Sequence, residues 1–177
     1  AYADEKIRTL IEDAGCTKMN GGAAQVRVFD RTDVDVEESG LSHIRNHTLT
    51  KVLTDSGGLG LGALRFDYDP ATNFIDILEV RIFRSCGKVE QVDVTAYADA
   101  VQPAHGIYWG MRMKVLPIPR LSVGDAGELK TYKKGFLIAY LEGDSDSDDE
   151  RYIPPMRTHY YDMILFEEGI PIKDKNY

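Results

Sequence analysis

Cysteine is scarce in this sequence, which has only Cys16 and Cys86 among its 177 residues. So few thiols exclude a disulfide-rich scaffold and a cysteine-rich zinc module, because both are built on larger cysteine sets. One disulfide between Cys16 and Cys86 would fit an exported chain, since disulfides persist in oxidising compartments. The alternative is two unrelated thiols.

Long apolar runs and an excess of positive charge are missing as well. The run FLIAYL at 136–141 is far shorter than the roughly 20 residues that a membrane-spanning helix needs. The net charge of −8 argues against sequence-independent nucleic-acid binding, because that binding depends on Lys and Arg at the phosphates. The opening AYADEK contains no initiator Met and no signal peptide, so we expect a processed or trimmed N-terminus and an extracytoplasmic location.

Two kinds of hydrophobic spacing are present. Apolar residues from Ile7 to Ala14 recur at helical spacing, between Asp4 as a candidate N-cap and Gly15 as a stop. From residue 23 onward, short segments alternate apolar and polar residues and are separated by Gly, Pro and Asp turns. The pattern predicts an all-β fold, mainly an antiparallel β-sandwich over residues 23–177, preceded by one short helix and a link over residues 1–22.

Several connections carry turn signals. A first strand pair is predicted to turn at Gly40, and DSGG at 55–58 predicts a glycine-rich turn. The Asp-Pro-Ala sequence at 69–71 predicts another turn, in which Pro sets a backbone dihedral. Cys86 and Gly87 occupy the two-residue position of a predicted hairpin.

The order of these segments resembles a known family. A Tyr-Asp-Pro turn, a hairpin before KVEQV, the P-x-L-x-V-G-D turn at 119–125 and a late Ile-Pro before a lysine-rich strand follow one another along the chain. They are similar to the N-terminal domain of unknown function that precedes transglutaminase-like domains in many exported bacterial proteins. This resemblance implies a β-sandwich, with any Cys-His-Asp machinery in a separate downstream domain. Cys86 departs from the family pattern, which usually has Asp or Asn there.

The resemblance also implies that Tyr177 lies about where a further strand of the sandwich would begin. We therefore expect a sandwich over residues 23–177 that stops short of its C-terminal strands and has an open sheet edge. Unpaired backbone groups on such an edge are a template for another strand. A partner strand, from another chain or from a C-terminal region, would fill it.

Cysteine and histidine do not form a convincing catalytic or zinc arrangement in the sequence. Cys86 lies in a predicted turn and Cys16 just beyond a helix end, whereas activated cysteines prefer helix N-termini or cationic surroundings. His43 and His47 are four residues apart on a predicted strand, which places them on one face but roughly 13 Å apart. The sequon NHT begins at Asn46, and an unmodified strand residue is the preferred interpretation.

The acidic segment EGDSDSDDER at 142–151 raises the question of calcium. Asp144, Asp146 and Asp148 stand on alternate positions, where carboxylate oxygens could bind calcium in an irregular geometry. An EF-hand loop is excluded, because its sixth and twelfth positions would be Asp149 and Pro155 instead of Gly and Glu. A solvated turn is the favoured interpretation, and we expect no other cofactor.

Tyr108 and Trp109 are the candidates for a ligand groove, although aromatic residues on a strand more often build a core. The sequence therefore predicts a non-catalytic interaction or assembly module whose partner is a protein. One alternative is an accessory, substrate-positioning part of a larger transglutaminase-like or protease-like enzyme. A second alternative is a carbohydrate or peptide binder that uses Tyr108 and Trp109.

Overall fold

A computed structural model describes residues 2–102, 110–136, 164 and 169–177. Two α-helices and nine strands are formed by these residues, with a short 3-10 helix after the first helix. The helices are α1 (Tyr2–Asp13), the 3-10 helix (Thr17–Asn20) and α2 (Asp55–Gly60). The strands are β1 (Gln25–Val36), β2 (Leu41–Val52), β3 (Ala63–Tyr68), β4 (Asn73–Phe83), β5 (Val89–Gln91), β6 (Ala98–Val101), β7 (Arg112–Pro117), β8 (Ala126–Phe136) and β9 (Lys175–Asn176).

The strands form two sheets. The larger sheet has six strands in the order β5-β4-β8-β2-β1-β9, and the smaller sheet has the order β3-β7-β6. All neighbours are antiparallel except β1 and β9, which run parallel. The predicted all-β fold with a short N-terminal helix is confirmed.

Both faces of the large sheet are covered near its centre. On one face, Ile11 of α1 and Ala14, just beyond the end of that helix, share a buried cluster with Phe29, Leu49 and Phe83 of the sheet. Full burial of a side chain as large as these phenylalanines contributes on the order of 2–3 kcal/mol. The opposite face packs on the small sheet, where other apolar residues form the inter-sheet core: Ile77, Val80, Leu116 and their partly buried neighbours Leu64, Phe66, Ile118 and Leu129.

The segment DSGG, predicted as a turn, is instead the start of α2. Thr54 is the N-cap, and its side-chain oxygen accepts a hydrogen bond from the backbone N–H of Gly57. A Cβ on Gly57 would lie 2.1 Å from the carbonyl oxygen of Ala24, and one on Gly58 would lie 2.2 Å from that of Leu121. The glycines therefore allow close backbone packing, which outweighs their poor helix propensity.

Two local predictions are wrong in detail. The β4–β5 hairpin has a three-residue loop at 85–87, because the N–H of Arg84 bonds the carbonyl of Lys88 at 2.8 Å. Gly87 has φ 95° at the last loop position, as in a type I turn with a G1 bulge. Asp4 is not an N-cap but lies inside α1, where its carboxylate pairs with Arg81 at 2.8 Å. Gly40, with φ 83°, does lie in the β1–β2 turn as predicted.

Candidate functional site

The outer edge of β1 is the feature of the fold with the clearest capacity to bind a partner. Its first half is covered by the C-terminal segment of the chain. The N–H of Arg27 bonds the carbonyl of Pro171 at 2.8 Å, and the N–H of Lys173 bonds the carbonyl of Arg27 at 2.9 Å. Further along, the N–H of Asp30 donates to the carbonyl of Asp174 at 2.9 Å. These bonds form a short parallel pairing.

The second half of the same edge, residues 33–36, is open among the described residues. Backbone groups of successive residues on a strand point alternately to its two neighbours. Since Asp30 bonds outward to the C-terminal segment, the outward residues that follow are Thr32, Val34 and Val36. The parallel pairing of Arg31 with Asn176 places the N–H of Thr32 at the Asn176 carbonyl. Val34 and Val36 have no backbone partner on that side in the part of the chain that the structure describes. The open stretch is about 13 Å long at 3.3–3.4 Å per residue.

The open half carries two carboxylates that the sheet does not neutralise. Asp33 and Asp35 are exposed, and no hydrogen bond or ion pair to another described residue involves their carboxylates. Directly across the sheet they face Arg45 and His43. Cross-strand neighbours of opposite charge would usually pair.

The side chains of Arg45 and His43 instead contact Tyr132 on β8. The guanidinium of Arg45 lies 5.8 Å from the ring centroid of Tyr132 on β8. His43 places Nδ1 2.7 Å from the Tyr132 hydroxyl and Nε2 2.7 Å from a Glu37 carboxylate oxygen. The pKa of Glu37 is lowered, chiefly by this hydrogen bond with His43. The carboxylates of Asp33 and Asp35 are therefore left without an ion pair among the described residues.

A buried charge cluster lies on the face of the sheet that α1 covers. Glu128 is 1% exposed and accepts hydrogen bonds from Nε of Arg81 at 2.6 Å and from Nε2 of His47 at 2.7 Å. Burial alone would raise the pKa of Glu128, but the hydrogen bonds from His47 and Arg81 outweigh it and lower the pKa to about 2. Arg81 also pairs with Asp4 of α1.

This cluster has the residue types of a His-carboxylate pair but lacks a nucleophile. Within the described residues, the His47 side chain hydrogen-bonds Glu128, and no hydroxyl or thiol group hydrogen-bonds the imidazole. A general base needs its nucleophile within hydrogen-bond reach. The cluster instead attaches α1 to the sheet, together with Lys51, whose ammonium bonds the carbonyls of Ile11 and Gly15 at 2.8 Å each. Burial lowers the pKa of Lys51.

The P-x-L-x-V-G-D turn has a structural role centred on Asp125, which is 2% exposed. Its carboxylate accepts from the N–H groups of Ser85 at 2.9 Å and Ser122 at 3.0 Å, and from Arg84 at 2.8 Å. Burial would raise the pKa of Asp125, yet these hydrogen bonds lower it below its usual value. The motif thereby joins the β7–β8 connection to the β4–β5 hairpin.

The structure gives Cys16 and Cys86 as free, exposed thiols, which corresponds to the alternative of two unrelated cysteines. Cys16 lies just beyond the end of α1, as predicted, and it is also the N-cap of the 3-10 helix. Hydrogen bonds from the backbone N–H groups of Met19 and Lys18 lower the pKa of its thiol. Sequence reasoning missed this setting because a 3-10 turn has no strong sequence signal.

The other predicted site residues are not brought together. His43 and His47 lie on β2 as expected, and each bonds a different glutamate. Asn46 is a strand residue whose side-chain N–H groups donate to Asp30 at 2.9 Å and to Thr32 at 2.8 Å. Further candidates lie outside the described residues, so the calcium site and the ligand groove stay predictions: Asp144, Asp146, Asp148, Tyr108 and Trp109.

The described residues contain no three His, Cys, Asp or Glu side chains that come together in a way that could hold a metal ion. No helix in the same part of the chain is long and apolar enough to cross a membrane. A cavity of about 50 Å³ lies between the sheets, well below the roughly 300–1,000 Å³ of typical ligand pockets. Two larger hollows, of about 200 and 480 Å³, lie beside α1.

Comparison with known proteins identifies the family. The model of a domain of unknown function that has solved structures, DUF3857, matches residues 38–177, more than three quarters of the chain. The chain belongs to the DUF3857 family. This match includes β2 to β9, and it leaves α1 and all of β1 outside.

A solved structure shares the fold. The crystal structure of a putative protease from Parabacteroides distasonis superimposes with a TM-score of 0.56 over 63% of this chain, at 12% sequence identity. The matched region is 23% of that protein, so this DUF3857 chain corresponds to less than a quarter of it. A search of curated proteins finds no match.

Proposed function

We propose that this chain is a non-catalytic interaction module of an extracytoplasmic bacterial protein, and that it binds by accepting a strand along residues 33–36 of β1. The observation that carries the proposal is the half-covered edge: β9 pairs with β1 as far as Arg31, and the outward backbone groups of Val34 and Val36 have no described partner. Main-chain hydrogen bonds to an added strand would supply the affinity.

The rest of the molecule supports a binding role over a catalytic one. The buried cluster around Glu128 and the turn at Asp125 are satisfied internally and hold elements of the fold together. The edge of β1 differs from the Glu128 cluster and the Asp125 turn, because the outward backbone groups of Val34 and Val36 are available to hydrogen-bond an added strand. Open edges in stable domains are usually shortened, charged or covered.

Amide hydrogen exchange tests this proposal. The probe is a neutral extended peptide of alternating Thr and Val, about seven residues long to match the edge. We expect it to slow exchange at Val34 and Val36, whereas Asp33 and Asp35, whose N–H groups bond β2, should change little. Val34→Pro removes one outward N–H without touching the β1–β2 pairing and should abolish the effect. Unchanged exchange at both outward amides would refute strand addition.

A second function is favoured by the likeness to the P. distasonis protein. That protein is described as a putative protease and is about four times the length of the matched region. We propose, as the alternative, that this domain is the accessory part of a larger transglutaminase-like or protease-like enzyme, where it positions substrate. Sequencing the gene on both sides of the chain tests it, since a reading frame without a Cys-His-Asp domain would remove this alternative.

A further inference from the structure

We infer that the open half of β1 selects a strand with Lys or Arg on alternate residues and apolar residues between them. This inference rests on the proposed function, because it concerns the same edge. It adds the chemical class of the partner: an extended basic peptide segment from another protein. Three features support it: the charge matching between β1 and the C-terminal segment, the exposed carboxylates of Asp33 and Asp35, and the repulsion expected between two copies of the edge.

The covered half of β1 is already matched by charge. Lys175 of the C-terminal segment lies with Nζ 3.4 Å from a carboxylate oxygen of Asp30, and Asp174 lies 3.3 Å from Arg31. The Lys175 and Asp30 side chains are only 15% and 11% exposed, so their attraction is less weakened by solvent than that of a surface pair. The strand that β1 accepts within this chain therefore places opposite charges beside the charges of β1.

Further along β1, the charges that an added strand would have to match are those of Asp33 and Asp35. These two carboxylates lie on one face of the strand, since alternate side chains share a face. Their cross-strand neighbours Arg45 and His43 contact Tyr132 instead, so a strand added at the open edge would lie next to two carboxylates that have no ion pair with a described residue. Lysine or arginine at the adjacent positions would satisfy both.

The opposite face of the same stretch calls for apolar residues. Val34 and Val36 alternate with the aspartates, and both are half-buried, as is Ile44, which stands opposite Val34 on β2. None of the three belongs to the apolar clusters formed by the described residues. An incoming strand with β-branched residues on this face would extend that apolar surface.

A second copy of this chain is a poor occupant. If two β1 edges paired antiparallel about Val34, Asp33 of each copy would lie opposite Asp35 of the other. Like charges directly opposite each other destabilise a strand pair. The net charge of −8 adds repulsion between copies at longer range. The edge therefore disfavours self-pairing while leaving a cationic strand acceptable.

The test uses three labelled peptides of about seven residues, alternating Val with Lys, Thr or Glu, and measures their binding to the full chain by fluorescence anisotropy. At low salt we expect the Lys peptide to bind roughly tenfold tighter than the Thr peptide, from two favourable cross-strand charge pairs. The Glu peptide should bind more weakly than both. High salt should reduce these differences.

Two variants locate the effect. In Asp33→Asn/Asp35→Asn the Lys and Thr peptides should bind within about twofold of each other, because the charge pairs are gone. The matched control Asp13→Asn/Asp55→Asn removes the same net charge from two exposed positions off the edge and should keep the preference. Circular dichroism and thermal melts establish that both variants are folded.

The outcomes separate this inference from the function on which it rests. Equal binding of the Lys and Thr peptides, abolished by Val34→Pro, would keep strand addition and overturn the basic-partner inference. If Asp33→Asn/Asp35→Asn still prefers the Lys peptide, the basic-partner inference is also overturned, since other residues would then recognise the lysines. Binding of none of the peptides would refute strand addition and the inference together.

Discussion

Replacing Glu128 with Gln should destabilise the protein at neutral pH and remove part of the acid sensitivity of its folding. Glutamine preserves the shape of the side chain but carries no charge. The carboxylate that it replaces is 1% exposed and holds Arg81 at 2.6 Å and His47 at 2.7 Å. Both hydrogen bonds involve an ionised acceptor, and such bonds are roughly twice as strong as neutral ones.

The magnitude follows from the pKa of Glu128. The fall from 4.5 to about 2 corresponds to roughly 3 kcal/mol of stability at pH 7, at 1.36 kcal/mol per pKa unit. Because the folded pKa is the lower one, this contribution is present above the unfolded pKa and disappears as the pH falls through the folded pKa. About 1.5 kcal/mol of it remains at pH 3. For a chain of this size, 3 kcal/mol is about 6–12 °C in Tm.

Urea unfolding followed by circular dichroism at pH 7 and pH 3 measures both quantities. The gap between wild type and Glu128→Gln should shrink by roughly half between the two pH values. Glu79→Gln is the control, because Glu79 pairs with Lys130 but its side chain is 28% exposed, so its loss should cost less stability at pH 7. An equal gap at pH 7 and pH 3 would refute the low pKa of Glu128.

Three further outcomes are expected from other parts of the fold. In a Cys86→Ser variant, Cys16 should react with iodoacetamide at lower pH when folded than in urea, because backbone N–H groups lower the pKa of its thiol; identical pH profiles would contradict this. Gly58→Ala should lower the free energy of unfolding in urea by about 3 kcal/mol, since its Cβ would lie 2.2 Å from a backbone oxygen. Gly60→Ala should lower it by no more than about 1 kcal/mol, since that Cβ would lie 3.2 Å from a flexible side chain. Asp125→Asn should cost about 2–3 kcal/mol at pH 7 by the same measurement, because the carboxylate accepts two backbone N–H groups and Arg84; unchanged stability would show that the turn does not depend on it.

Periodic hydrophobic patterns made most helices and strands of this fold predictable. The elements that were not predicted depend on packing between residues far apart in sequence. Alternation over β1 and β2 and the helical spacing of α1 reflect which face is buried, so local sequence was enough. Gly57 and Gly58 misled the prediction because their value lies in contacts with Ala24 and Leu121, far away in sequence. For the same reason, nothing local indicated that the 69–71 turn carries the chain from the small sheet to the large one.

The candidate site was predictable only in part. An open edge left by absent C-terminal strands was expected from the family resemblance, and it stays a prediction. The segment DVDV that supplies Asp33 and Asp35 is visible in the sequence. What the sequence did not show is that β1 lies near the end of the sheet order, or that Arg45 and His43 turn towards Tyr132. Both depend on which strand lies beside β2.

The two aspartates would also disfavour pairing of the open half-edge with the same edge of a second copy. Charged residues along an exposed strand are a recurring protection against edge-to-edge association, and here they act through like-charge contacts between Asp33 and Asp35 of two copies. Protection and partner selection would then have one physical origin. It follows that Asp33→Asn/Asp35→Asn, which weakens binding of a basic strand, should strengthen self-association in sedimentation velocity at low salt. If that variant is no more self-associated than Asp13→Asn/Asp55→Asn, the aspartates do not guard the edge.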